Sequence, residues 1–375
     1  MKVFIPKETR SGEQRVSGTP ETVKKLTSAG FTVSVEKGAG LSAHISDAEF
    51  ETAGAQLTDV SGYKESDLCL KINPPEVEHA KMLKEGSILI CALIPHAELD
   101  VIKILQSRKI STFSTNLIPR ITIAQKMDTL SSQASIAGYK AVIKAADHLG
   151  KYYPLLMTAA GTIHPAKVVI LGAGVAGLMA IATARRLGAQ VEAFDVRAAV
   201  KEQVESLGAK FIEVEPDADM EDAGGYAKQA SEAFLARQRA EIAKRVAAAD
   251  VVVTTALVPG KKAPVLITTD TVKQMRSGSV IVDLAVEQGG NCELTQMGTH
   301  VVEGVTIIGD PHLASNTSIH ASQLFARNLW NMIEHLSKDG EMLINLEEPI
   351  TDGSLLTYNG TIRHEPTRTL MEQGG

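Results

Sequence analysis

The sequence predicts an α/β protein of two doubly wound parallel-sheet domains with a cleft between them. Three observations predict it. Short apolar, β-branched runs alternate with helix-spaced patterns along the chain, which builds parallel sheets covered on both faces. The stretch Lys167 to Arg197, KVVILGAGVAGLMAIATARRLGAQVEAFDVR, packs strand, glycine turn, helix and strand into about thirty residues. A connection with polar groups among apolar ones, Asn116 to Asp128, separates two such alternations.

Taken in order, candidate strands of the first domain are Lys2 to Ile5, Phe31 to Val35, Leu68 to Ile72, Ile88 to Leu93 and Ile110 to Phe113. Helical patterns lie between them, Glu21 to Ala29 after Thr19-Pro20 and His96 to Ser107 after Pro95. From Ser131 to Gly150, Ile136, Tyr139, Ile143 and Ala146 keep helical spacing, with Ser131 or Ser132 as N-cap. That helix could bridge the domains.

The second domain opens with the glycine turn. Gly172 serves the tight turn, Gly174 lets backbone approach a pyrophosphate, and Gly177 lets the helix pack on the sheet. Phosphates would meet Val175, Ala176 and Gly177 at a helix N-terminus, where free amides and the dipole favour anions. Asp195, at the tip of the second strand, can accept both ribose hydroxyls and would repel a 2′-phosphate, which argues for NAD over NADP. Arg197 is a contrary sign, because an arginine nearby can take that phosphate. These features make the second domain a Rossmann dinucleotide-binding domain.

Further strands are Lys210 to Val214, Val251 to Thr255, Ser279 to Leu284 and Val305 to Ile308, six in all for this domain. The acidic segment Pro216 to Tyr226 reads either as a surface loop or as a mobile lid over the nucleotide. After Asp310 an apolar stripe through Ile319, Phe325, Leu329, Ile333 and Leu336 marks a helix. A β-rich tail follows, with a hairpin signal at Tyr358 to Thr361. The expected domains are 1–130 with 318–375, and 131–317.

Composition narrows the partners. Of 375 residues, 44% are hydrophobic, 22% charged and only 4% aromatic, and the net charge is -6. With no dense Lys/Arg block, nucleic acid and anionic membrane are disfavoured. Cys69, Cys91 and Cys292 are far apart and read as reduced thiols of a cytosolic protein. No export signal is expected in MKVFIPKETR, and no run reaches the roughly 18 apolar residues of a membrane span.

Ligands of open α/β sheets bind outside the carboxyl ends of the strands. The loops there are the glycine turn, Asp195 to Arg197, Thr255 to Gly260 with Leu257, and Leu284 to Asn291. Apolar residues such as Leu257 suit an adenine or nicotinamide face, or simple strand-end packing. Arg120, Gln125, Asp128 and Ser131 come from the interdomain connection. Arginine can grip a phosphate or carboxylate, glutamine can orient an amide, and aspartate can hold the arginine or a ribose; the bland reading is a polar linker with a helix cap. No nucleophile elbow, P-loop or metal-ligand cluster is present, so no metal is expected. His96, near a strand end, reads as an exposed residue at a helix start.

The runs IPKETRSGEQRVSGTPETV, LKINPP, PRITIAQKMDTLSSQASIAGYKA, GAGVAG with FDVR, TTALVPGKKAPVLIT and IVDLAVEQGGNCE stand in order along nearly the whole chain. Together they resemble the NAD(H)-binding alpha-1 components of proton-translocating NAD(P)+ transhydrogenases. The related alanine dehydrogenases share the architecture and are the alternative, as NAD-dependent amino-acid dehydrogenases. Arg15 and Lys71 match both families at the positions of the dehydrogenase's substrate arginine and lysine. The dehydrogenase's catalytic histidine and aspartate do not match: Ile94 stands at the first position, with His96 two residues off, and Glu287 at the second.

The resemblance implies direct hydride transfer between NADH on this chain and NADP+ on a partner, coupled to proton translocation by a membrane component. It implies that Arg120, Gln125, Asp128 and Ser131, with Ile121, Thr122, Lys126 and Met127 of the same loop, hold the nicotinamide end. Gly172, Gly174 and Val175 to Gly177 would meet the pyrophosphate, and Asp195, Val196 and Arg197 the adenosine. Gly225, Gln238 and Leu257 match further nucleotide contacts, and Tyr226 matches a mobile-loop tyrosine. A homodimer is implied, held through partner subunits at the cytoplasmic face of the inner membrane. The NADP(H)-binding and membrane-spanning proton-channel components would be separate chains or segments of a longer parent.

Overall fold

The computed structural model describes residues 1–214, 232–257 and 262–373. The chain divides into two compact units, Met1–Gln133 with Ala314–Gly375, and Ala134–Leu313.

In the first unit, β1 (Lys2–Ile5), β2 (Thr32–Glu36), β3 (Gln56–Thr58), β4 (Leu68–Leu70), β5 (Ile88–Cys91) and β6 (Ser111–Ser114) are parallel, in the order β3-β2-β1-β4-β5-β6. The order reverses between β1 and β4, which makes the sheet doubly wound. The tail strands Leu355–Tyr358 and Thr361–Ile362 extend it as an antiparallel hairpin on β6. Asn359, at φ 48°, and Gly360, at φ 79°, make the turn that Tyr358 to Thr361 signals in the sequence. β4, β5 and β6 are buried at every residue, which is why they read as short apolar runs without alternation.

On β1, Val3 and Ile5 face one core while Phe4 faces the other, as period-two geometry requires. The first core is completed by Phe325, Leu329, Met332 and Ile333 from the helix Ser318–Leu336. The helix Pro20–Ser28 begins where expected, with the Thr19 side chain accepting from the Thr22 amide.

The second unit carries a small hairpin, β7 (Leu156–Thr158) with β8 (Gly161–Ile163), exposed at every residue. Its main sheet runs β9 (Lys167–Leu171), β10 (Gln190–Phe194), β11 (Lys210–Phe211), β12 (Val251–Thr254), β13 (Val280–Asp283), β14 (Gly298–Val302) and β15 (Val305–Gly309), in the order β11-β10-β9-β12-β13-β15-β14. Six of these are the expected parallel strands. The seventh, β14, is an antiparallel edge that the sequence does not signal. Winding reverses between β9 and β12, at the glycine turn.

One expectation is corrected. The long helix runs Thr129–His148, so neither Ser131 nor Ser132 is its N-cap. Asp128 caps it: its Oδ1 accepts the Ser131 amide at 2.9 Å and its Oδ2 the Ser131 hydroxyl at 2.6 Å. A carboxylate there satisfies a free amide and meets the positive end of the helix dipole. Among the described residues no helix is long and apolar enough to cross a membrane.

Candidate functional site

At the β9 carboxyl end, three strands are tied at one point. The Gly172 amide donates to the Phe194 carbonyl of β10 at 2.8 Å, and the Thr255 amide to the Leu171 carbonyl at 2.8 Å. The Thr255 hydroxyl donates to the Gly172 carbonyl at 3.1 Å. Gly172 sits at φ +104°, a conformation side-chain-bearing residues avoid. At Gly177 a Cβ would stand 1.8 Å from the Gly172 carbonyl oxygen, so only glycine lets the helix Val175–Arg186 start against the turn.

Gly174 differs in kind: a Cβ there would meet nothing within 4 Å. It is the N-cap and offers no side chain to the first-turn amides, which leaves them to an anion from outside. The long helix also approaches this point, because Gly138 would place a Cβ 2.0 Å from the Ala176 carbonyl oxygen. Glycines therefore make both the turn and the close packing behind it, and the open face suits a pyrophosphate.

Asp195 follows β10. Its carboxylate accepts from the Ala173 amide at 2.8 Å, from the Arg197 amide at 2.9 Å, and from the Arg197 guanidinium through Nε and Nη2, both at 2.9 Å. Burial opposes its charge, but the bonds from Arg197 and Ala173 outweigh that and hold its carboxyl below the usual range. Arg197 is thus engaged with the acid, and Val196 between them is 77% exposed.

Leu257 lies beyond β12 and is exposed. The loop before it is fixed by Asn291, whose Oδ1 accepts the Ala256 amide at 3.1 Å. Its Nδ2 donates to the carbonyls of Ala256 at 2.9 Å and Pro264 at 2.8 Å. Asn291 is held in turn by the buried Asp283, which accepts the amides of Ala285, Asn291 and Cys292 and the Thr295 hydroxyl. The sequence carries no local signal for this support, because its partners lie up to 35 residues apart. Gln238 is half-buried on the helix Glu232–Ala247. Gly225 and Tyr226, with the acidic segment, lie outside the described residues.

The Arg120–Ser131 loop belongs to the first unit. A 3-10 turn, Thr122–Met127, buries Ala124 and Met127 in that unit's core and leaves Arg120, Ile121, Thr122, Gln125 and Lys126 exposed. Among the described residues the side chains of Arg120 and Gln125 have no hydrogen-bond partner, whereas Asp128 and Ser131 are bonded to each other. Two of the four polar groups are therefore available to a ligand, and two shape the loop.

The same unit holds the two cations shared by both candidate families. Arg15 is forked onto Glu13, with Nε to Oε1 at 2.7 Å and Nη2 to Oε2 at 2.5 Å, and its Nη1 reaches Gln133 Oε1 at 2.9 Å. Lys71 is buried against Glu8 at 3.1 Å. Each already has a carboxylate of its own. Ile94 and His96 are exposed after β5, and Glu287 is exposed after β13.

Family models agree with this architecture. Residues 4–137 match the description "Alanine dehydrogenase/PNT, N-terminal domain", and residues 141–365 match "Alanine dehydrogenase/PNT, C-terminal domain". The chain is 47% identical to the first of the chains that make up the NAD(P) transhydrogenase alpha subunit of Rhodospirillum rubrum, over 97% of this chain and 98% of that one. It superposes on a transhydrogenase structure from Sinorhizobium meliloti with TM-score 0.89 and 43% identity, covering 96% of this chain and all of that one. An L-alanine dehydrogenase structure is more distant, at TM-score 0.83 and 26% identity with full coverage of both chains. By fold, by sequence and by the extent of both matches, the chain belongs to the alanine dehydrogenase/PNT family.

Proposed function

We propose that the chain is the NAD(H)-binding component of a proton-translocating NAD(P)+ transhydrogenase, active only with its partner components. One observation carries this reading: a nucleotide site is assembled around Gly172, Gly174, Gly177 and Asp195, while Ile94 and Glu287 stand where an amino-acid dehydrogenase is expected to have its histidine and aspartate. Deamination through an imine needs a positioned acid or base. Hydride transfer between two nicotinamides does not.

NADH, when bound, supplies the hydride that NADP+ on the partner component receives. This chain's residues bind and aim. The first-turn amides of Val175, Ala176 and Gly177 receive the pyrophosphate. Asp195 receives the ribose hydroxyls, with Val196, Arg197, Gln238, Leu257 and Gly225 flanking the nucleotide and Tyr226 on a covering loop. Arg120 and Gln125 hold the nicotinamide end, among Ile121, Thr122, Lys126 and Met127, and the Asp128–Ser131 pair fixes that loop's exit. Orientation suffices as the catalytic device, because well-oriented intramolecular reactions reach effective molarities of about 10⁵–10⁸ M.

The component works as a homodimer with an NADP(H)-binding component and a membrane-spanning proton-channel component, at the cytoplasmic face of the inner membrane. The exposed hairpin supports association: Tyr152, Leu155, Leu156, Met157 and Ile163 are all exposed on or beside it. Contiguous apolar surface of this kind marks interaction sites. The test is NADH-to-NADP+ hydride transfer on mixing purified chain with the NADP(H)-binding component. Absence of transfer overturns the reading, and consumption of pyruvate, ammonia and NADH by the chain alone would assign it to alanine dehydrogenation instead.

A further inference from the structure

We propose that Asn328 and Asn331, on the helix Ser318–Leu336, are positioning residues that set the aim of the Arg120–Ser131 loop during hydride transfer. The proposal rests on the functional reading above. Both Nδ2 groups donate to one acceptor, the Lys126 carbonyl, at 2.9 and 2.8 Å. Spacing of i, i+3 puts the two asparagines on one helix face, so the helix presents a matched pair of donors.

That carbonyl lies between Gln125 and Asp128. A carbonyl has two lone pairs, and two side-chain donors orient its peptide plane where one would leave it free to swing. Asn328 reaches further: its Oδ1 accepts the Ser132 hydroxyl at 2.7 Å. One amide thus spans the 3-10 turn and the first turn of the long helix, the two segments on either side of Asp128. Beneath the turn, Ala124 and Met127 are sunk in the core that Phe325, Leu329 and Met332 of the same helix help to form.

The backbone around Gln125 is therefore fixed from below by apolar packing and from the side by amides, while its side chain stays open. The bonds to Lys126 are solvent-accessible, and water could serve that carbonyl at little cost. What water cannot supply is direction. Neither asparagine contacts the nucleotide in the functional reading, so their effect passes through the loop.

The test uses the full chain with the NADP(H)-binding component and compares Asn331→Asp, Asn328→Ala and their combination. Asn331→Asp is nearly isosteric and removes the donor alone. Arg327→Ala is the control on the same helix, since Arg327 makes only an exposed ion pair with Glu21. The expected result is a fall in single-turnover hydride transfer of roughly tenfold for Asn331→Asp and approaching a hundredfold for the combination, in line with the ~10²-fold cost of a 1 Å misplacement. NADH affinity and the melting midpoint should stay close to those of the unsubstituted protein, and Arg327→Ala should transfer at the full rate.

Unchanged transfer in Asn331→Asp overturns the proposal, as does a parallel loss of rate and affinity, or an equal loss in Arg327→Ala. If the combination does not fold, Asn331→Asp alone decides. Absence of transfer by the unsubstituted protein removes the functional reading and this proposal with it, whereas normal transfer by every variant removes the proposal alone.

Discussion

Arg197 closes on Asp195 from two residues away, matching its Nε and Nη2 to the two carboxylate oxygens at 2.9 Å each. An arginine beside the ribose acid would ordinarily hint at a 2′-phosphate. Forked onto the acid, it is neutralised by the group that disfavours that phosphate.

Asp195→Ala should weaken NADH and relax the exclusion of NADPH. Loss of charge-assisted bonds to the ribose costs about 1.5–3 kcal/mol, roughly ten- to a hundredfold in affinity. Freed Arg197 then has no carboxylate at its side, which favours NADPH further. Fluorescence titration with both nucleotides measures the ratio, and an unchanged preference would remove Asp195 as the ground for assigning NAD. Because Arg197 and Ala173 hold its carboxyl below the usual range, that preference should not vary across neutral pH.

Gln125→Asn and Asp128→Asn should slow hydride transfer more than they weaken NADH. Gln125 is shortened by one methylene, and Asp128 loses the charge that caps the Thr129–His148 helix through Ser131. A cap is worth about 0.5–2 kcal/mol, enough to loosen the loop without unfolding the unit. Transient kinetics with the NADP(H) component and equilibrium NADH binding separate the two effects. Equal losses in both would contradict the aiming role.

Gly177→Ala should abolish nucleotide binding or folding of the second unit, because its Cβ would lie 1.8 Å from the Gly172 carbonyl oxygen. Backbone faces backbone there, so relief requires moving the turn itself. Overpacking commonly costs about 1–3 kcal/mol, and a backbone clash lies at or beyond the top of that range. Gly174→Ala meets open space and should instead fold normally and lose NADH through the group placed in the phosphate path. Circular dichroism melting with NADH titration distinguishes them.

Glu13 gives an acid-sensitive contribution. Burial opposes its charge, yet Arg15 and Asn73 hold its carboxyl down at about 2 against an ordinary 4.5. A depressed carboxyl stabilises the fold above its unfolded value and loses that as pH falls, so the contribution is complete above about 4.5 and fades toward 2. Linkage puts it on the order of 3 kcal/mol. Urea unfolding of Glu13→Gln between pH 7 and pH 3 should show a stability gap to the unsubstituted protein that narrows with acid. A constant gap would show that the charge is not its source.

Much of the fold can be read because burial writes itself into composition. Val168 to Leu171, Val251 to Thr254 and Val280 to Val282 are apolar runs since their strands have no solvent face. β3 and β14 lack that mark: they are edge strands, part exposed, and owe their form to a neighbour's hydrogen bonds. The exposed β7–β8 hairpin escapes the sequence pattern for the same reason.

In the site, the glycines and Asp195 are local signals and are legible. The residues that hold the loops are not. Asn291 acts on Ala256 from 35 positions away, and Asn328 on Lys126 from 202, distances at which no periodicity reports contact. The N-cap of the long helix is ambiguous in sequence because Asp128 suits a ligand group as well as a cap, and the serines nearby satisfy the usual cap preference.

The core of the first unit also constrains the order of events on the ribosome. Val3 and Ile5 pack with Phe325, Leu329, Met332 and Ile333, some three hundred positions later in translation. Residues 134–313, by contrast, form one uninterrupted unit. At synthesis rates of about 5–20 residues per second, the opening strands wait on the order of tens of seconds for their last partner. Here the middle of the chain can finish folding before its beginning, and the apolar faces of β1 and β2 are the surfaces a nascent-chain chaperone would have to cover meanwhile.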